Sequence, residues 1–149
     1  MGNWMKISDQ LTVGPQPSED QLEELPRSGF KAVVNLRTAG EPEQPLSPIE
    51  EGVKVRALGM DYFHIPVSPQ NLRSEQVDRF REELGRLRKP AFVHCYTGKR
   101  AGAFSMIHAA IELGWTGEET LRKAGEMGFE CNVPALKEFV RGYIDRNRT

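Results

Sequence analysis

Apolar positions follow two rhythms along this chain. Short runs with β-branched or alternating apolar residues punctuate it at residues 6–13 (Ile7, Leu11, Val13), 32–36, 61–67 and 91–94. The first reads as a strand or paired strand ends, and Ala32-Val33-Val34-Asn35-Leu36 as a buried strand. Tyr62, Phe63, Ile65 and Val67 supply the bulk of a third strand, and Pro66 within it marks an edge position or a strand end. Pro90 then introduces the strand from Ala91 to His94.

Between these runs the spacing is helical. Ser18 caps a helix with Glu19, Asp20 and Gln21 in its first turn, Leu22 and Leu25 facing the core, and Gly29 at its exit. Ser47-Pro48-Ile49-Glu50 is a capping box with proline at the first helical position, opening a helix that runs to about Leu58 and is weakened by Gly52. Ser74 opens another, with Val77, Phe80, Leu84 and Leu87 on one face and charges on the other. The segment from Ala101 to Leu113 is apolar on most sides and reads as a central helix ended by Gly114. Thr116-Gly117-Glu118-Glu119 caps a helix to about Met127, and Asn132-Val133-Pro134 opens the last, with Leu136, Phe139, Val140, Tyr143 and Ile144 at amphipathic spacing. Strands alternating with helices, without repeats or linkers, predict one α/β domain over residues 1–149.

Composition narrows the function classes. Twenty basic against 21 acidic residues leave no global pull toward nucleic acid or a membrane, so any anion preference is local, at Lys99, Arg100, Arg37 or Arg73. Two cysteines, Cys95 and Cys131, argue against a disulfide scaffold and fit a reducing compartment. The N-terminal residues lack the apolar core of a signal peptide, and no apolar run is long enough to span a bilayer. A cytoplasmic location is expected. With no metal-ligand cluster and no dinucleotide fingerprint, no cofactor is expected. His64, His108 and Cys131 are read as structural.

Chemistry concentrates in His94-Cys95-Tyr96-Thr97-Gly98-Lys99-Arg100, a short loop between the strand 91–94 and the central helix. Amides of such a loop and of the helix N-terminus converge on one point and favour negative charge there. A cysteine so placed has a reason to be ionised and nucleophilic. Amides from Tyr96 to Arg100, with Gly98 permitting the turn, form a cradle for an oxyanion; Arg100 grips two of its oxygens, and Lys99 adds local potential. Tyr96, Thr97, Gly98 and Lys99 are thus the substrate-contacting candidates. His94 joins them as a hydrogen-bonding support of the thiolate rather than a base.

His94-Cys95-x-x-Gly98-x-Arg100 resembles the phosphate-binding loop of cysteine-dependent protein tyrosine and dual-specificity phosphatases. Val13-Gly14-Pro15-Gln16-Pro17-Ser18, Phe30-Lys31-Ala32-Val33-Val34-Asn35-Leu36-Arg37, Gly40-Glu41 and His64-Ile65-Pro66-Val67 resemble, in order, one bacterial branch: the phosphatase-like domain of the beta-lactamase-hydrolase-like family. The resemblance implies a dual-specificity-phosphatase-like fold, a central, mostly parallel sheet flanked by helices, with Cys95 and Arg100 at the active site. It implies a hydrolase that acts on phosphate monoesters through a cysteinyl-phosphate, with a phosphorylated substrate or other small oxyanion as its partner.

Two departures keep other readings open. The phosphatase pattern has five residues between cysteine and arginine and then a hydroxyl residue; here four intervene and Ala101 follows. The general acid of such enzymes would fall within residues 67–73, which contain no carboxylate, leaving Glu41, Glu43 or Asp61 as substitutes, with Arg37 as an accessory group. The shorter loop resembles rhodanese-type loops, so sulfur transfer through a Cys95 persulfide is the alternative. A catalytically weak anion-binding module is the third reading.

Overall fold

The structure is a computed structural model and describes residues 4–128 and 134–147. Five short strands form its sheet: β1 (Met5–Ser8), β2 (Leu11–Gly14), β3 (Ala32–Asn35), β4 (Asp61–His64) and β5 (Ala91–His94), in the spatial order β1-β2-β5-β3-β4. Only the β1–β2 pair is antiparallel; the other neighbours run parallel. The helices are α1 (Glu19–Arg27), α2 (Pro48–Ala57), α3 (Ser74–Arg86), α4 (Lys99–Leu113), α5 (Gly117–Glu126) and α6 (Pro134–Asn147). No described helix is long and apolar enough to cross a membrane.

Parallel strands are covered on both faces, so their side chains are apolar throughout rather than alternating with polar ones. β3 and β5 obey this rule up to their last residues: Ala32–Val34 and Ala91–Val93 are apolar, and the polar Asn35 and His94 that end them are buried as well. Val33 and Phe92 join Leu22 and Leu25 of α1 and Val55 of α2 in one core. Ala32, Val34, Ala91 and Val93 face the other way, into a larger core with Val77, Phe80 and Leu84 of α3, Phe104 and Ile107 of α4 and Val140 and Ile144 of α6.

Helix starts follow their caps. Ser18, Ser47 and Thr116 each accept from the amide three residues on while Gln21, Glu50 and Glu119 reach back, three complete capping boxes. The third strand is shorter than its apolar run because Pro66 has no amide to give, although Ile65 and Val67 still donate to Asn35 and Leu36. β4 is indeed the sheet edge. The expected residues Asn132 and Val133 before α6, and Cys131, lie outside the described residues.

Gly52 has a reason beyond permissiveness. A Cβ there would sit 2.9 Å from the Tyr62 ring, so the glycine lets α2 lie close on β4. That ring cannot swing aside freely, since its hydroxyl donates to the Pro48 carbonyl at 2.8 Å and accepts from Asn35 at 3.1 Å.

Propensity and packing therefore predict opposite signs for Gly52→Ala. Helix propensity alone favours alanine by about 1 kcal/mol, whereas overpacking costs about 1–3 kcal/mol. We expect Gly52→Ala to lower the denaturant midpoint. Gly85→Ala in α3, where nothing lies near the added methyl, should raise it. Urea unfolding of both variants checks the pair of signs.

Candidate active site

Register gathers the site. Gly14, His94 and Asn35 pair across β2, β5 and β3, so the loops leaving these strands start side by side at one edge of the sheet. Such an edge, at the carboxyl ends of parallel strands, is where α/β proteins place their chemistry.

From His94 the chain turns through Cys95 to Gly98, which takes a φ of 99° and caps α4. The turn aims amides at the sulfur: Gly98 N lies 3.1 Å and Ala101 N 3.4 Å from Cys95 Sγ. α4 differs from the box-capped helices. It has no side-chain cap and no acid in its first turn, so its N-terminal donors and dipole are left to the thiol and whatever binds over it. Cys95 itself is 1% exposed.

Arg100, on the first turn of α4, folds beside the sulfur, and its charge interacts with Cys95. Its terminal nitrogens donate to both carboxylate oxygens of Glu41 at 2.8 Å, and one also donates to the Val67 carbonyl at 2.7 Å. Glu41 is shared. Arg37 Nε donates to it at 3.0 Å, and the amide and hydroxyl of Thr38 complete its shell. Burial alone would raise the Glu41 pKa, but the hydrogen bonds from Arg100, Thr38 and Arg37 outweigh it and lower it from 4.5 to about 2. Glu41 therefore holds no proton near neutrality. It positions arginine rather than serving as the acid suggested by the sequence.

Arg37 is fully buried. Besides Glu41 it reaches Gln16 Oε1 at 2.9 Å and the carbonyls of Glu43 and Pro42, and its guanidinium lies 4.5 Å over the Tyr96 ring. Gln16 is the hub that spacing did not reveal. Its amide donates to the Tyr96 carbonyl at 3.0 Å, and its Nε2 donates to Glu51 Oε1 at 3.1 Å. Glu51 is fully buried, with Oε2 2.7 Å from His94 Nε2. His94, expected among the substrate-contacting residues, is instead fully buried behind the loop, because its ring is drawn toward α2.

The other candidates divide. Thr97 and Lys99 are exposed on the loop, Gly98 is buried and Tyr96 is half-buried. A cavity of about 190 Å³ lies against them, lined by Pro69, Leu72, Tyr96, Thr97, Lys99, Arg100 and Leu136. Glu43 is exposed, and its carboxylate near the Tyr96 hydroxyl raises the tyrosine pKa. Asp61 begins β4 at the opposite end of the sheet and pairs with Arg88 at 3.1 Å, away from the loop. Arg73 is exposed and donates to Asn71.

A signal for Glu51 was present in the spacing. Pro48, Glu51, Gly52 and Val55 form the buried stripe of α2, while Ile49 and Val53 are 81% and 64% exposed. An acid on the inner stripe of a helix with apolar residues outside is the inverse of ordinary amphipathicity.

Against known proteins, the profile of the family "Beta-lactamase hydrolase-like protein, phosphatase-like domain" matches residues 3–111. A beta-lactamase hydrolase-like protein of Agrobacterium fabrum is 32% identical over 109 residues, 72% of this chain. The chain spans 25% of that relative's length. A solved DUF442 protein of Shewanella putrefaciens superposes with a TM-score of 0.81 at 25% identity, covering 98% of this chain and 93% of its own. The structure of P. aeruginosa TpbA in complex with pTyr superposes with a TM-score of 0.73 at 19% identity, covering 94% and 83%, a likeness of fold alone. The fold is that of the protein tyrosine and dual-specificity phosphatases.

Glu41 sets an acid limb. Its folded pKa lies below its ordinary value, so its contribution to stability is complete above about pH 4.5 and is lost as pH falls toward 2. The stability difference between wild type and Glu41→Gln is expected to be constant from neutrality to about pH 5 and to shrink below that. Unfolding measured across this range checks it; a difference that does not shrink would place the stabilising charge elsewhere.

Proposed function

The chain belongs to the phosphatase-like-domain family of the beta-lactamase hydrolase-like proteins, and from that premise we propose that it hydrolyses phosphate monoesters through Cys95. The observation that carries this reading is the sulfur under two converging amides, Gly98 and Ala101, with Arg100 beside it. In the proposed reaction the Cys95 thiolate attacks phosphorus, forming an S–P bond as the ester P–O bond breaks. Loop amides and Arg100 hold the equatorial oxygens as charge builds on them. Water then attacks phosphorus, releasing phosphate and restoring the thiolate.

The leaving oxygen needs a proton or an intrinsically stable anion. Glu41 has no proton to give. Glu43, near the Tyr96 hydroxyl at the rim of the loop, is the remaining candidate acid. Without general-acid help, turnover drops by about 10²–10⁴-fold. The proposed enzyme thus favours esters with good leaving groups.

A second reading is supported by the same observations. Sulfur transfer through a Cys95 persulfide needs no acid, and it suits the four-residue spacing and Ala101 in the hydroxyl position. The two chemistries separate in a paired assay of aryl phosphate hydrolysis and thiocyanate formation from thiosulfate and cyanide. We expect phosphate release that Cys95→Ser abolishes and that Arg100→Lys lowers by at least about tenfold, because lysine lacks the planar donor fork. Thiocyanate formation without phosphate release would replace the first reading with the second. Neither activity, with phosphate raising the melting temperature, would mark an anion-binding module.

A further inference from the structure

The open edge of the sheet carries features for which the Cys95 site has no use. β4 pairs with β3 alone and ends the sheet. Asp61 and Ile65 turn their amides inward, to the carbonyls of Lys31 and Asn35. Strand alternation therefore turns the backbone N–H and C=O of Tyr62 and His64 to the open side. Next to this edge the outer side of α2 is apolar. Ile49 and Val53, one turn apart, are two of the three large hydrophobic residues exposed among those described. With Gly52, Tyr62 and Phe63 they line a groove of about 250 Å³. Exposed apolar side chains scattered singly need no explanation; neighbours that share a groove beside an unpaired strand do.

The uncompensated charge along this edge is positive. The Arg56 guanidinium lies 5.5 Å over the Tyr62 ring and that of Arg79 lies 5.0 Å over the Phe63 ring. Tyr62 and Phe63 are consecutive, so the edge strand has one guanidinium on each of its faces. Both arginines are exposed, and neither pairs with a carboxylate among the described residues. The nearby acids are already engaged. Asp61 is matched by Arg88 at 3.1 Å, and Glu50 accepts from the amide of its own helix cap, Ser47, at 3.0 Å. The groove is also set in advance, because the Tyr62 hydroxyl is tied to Pro48 and Asn35.

We propose that this edge docks an extended acidic segment of another polypeptide, which adds to β4 as a sixth strand. Alternating backbone donors and acceptors are matched by another backbone, and pockets for alternate side chains supply the selectivity. On the α2 face the groove beside Ile49 and Val53 takes apolar side chains, and carboxylates reach Arg56 and Arg79. A second copy of this edge fits badly. Pairing β4 with itself would bring the unmatched guanidinium groups of both copies together, and like charges brought face to face suppress an association. The arginines that admit an acidic strand thus keep copies apart, the ordinary duty of edge charge. None of these residues lies in the loop 95–100, so docking here and chemistry at Cys95 fail separately.

Nitrogen–proton NMR of the labelled protein, titrated with a synthetic hexapeptide of alternating valine and glutamate, tests the site. The expected result is a set of shifts centred on Val53, Tyr62 and His64, with slowed hydrogen exchange at the Tyr62 and His64 amides. A peptide with lysine in place of glutamate is expected to bind at least about tenfold more weakly. Arg56→Glu with Arg79→Glu should reverse that preference, and Val53→Asp should weaken the glutamate peptide. Three outcomes on the wild type alone overturn the proposal, so it stays refutable even where a variant fails to fold. The first is no shift at these residues at about 1 mM glutamate peptide. The second is equal binding of the two peptides. The third is shifts centred on residues 95–100, which would assign the carboxylates to the Cys95 cradle. Self-association that protects the same two amides as protein concentration rises also overturns it, and gives the edge to a second copy.

Discussion

One carboxylate holds two guanidinium groups at this site, and the geometry of the loop depends on it. Arg100 and Arg37 both spend hydrogen bonds on Glu41, and both are buried. Two neighbouring buried cations without such an anion would repel one another and lose their hydration uncompensated. With it, the Arg100 fork is fixed by Glu41 on one side and the Val67 carbonyl on the other. For the proposed reaction, donors set in place beforehand would need no reorganisation as charge develops.

The charge pattern continues inward from that carboxylate. Arg37 leads to Gln16, Gln16 to Glu51, and Glu51 to His94, the residue before Cys95. Gln16 is uncharged and bonds to both an arginine and a glutamate, using its carbonyl for one and its amide for the other. It also ties the loop backbone at Tyr96. The Cys95 loop is thus braced by α4 and by the segments following β2 and β3.

Much of the architecture was legible in the sequence because its signals are local. Ser18, Ser47 and Thr116 carry their caps within three residues, and β3 and β5 announce double-sided burial by unbroken apolar runs. Cys95, Gly98 and Arg100 also announce themselves by spacing, and the structure gathers them around the Cys95 sulfur. The residues that sequence reasoning misplaced are those whose role depends on a partner far along the chain. Glu41 is an acid by type and an arginine anchor by location, 59 positions from Arg100. Glu51 received no reading from the sequence, and only its place on the stripe with Pro48 and Val55 marks it. Gly52 read as a helix weakener because the Tyr62 ring that requires it belongs to another element.

Adjacency of strand ends across the sheet carries a consequence for engineering. The loop 95–100 is continuous in the chain, yet its buried polar partners come from three other segments, near Gln16, Arg37–Glu41 and Glu51. Transplanting the loop alone onto another scaffold would move the thiol and its amides and strand Arg100 without an anion. The transferable module is a cross-section of the fold rather than a stretch of sequence.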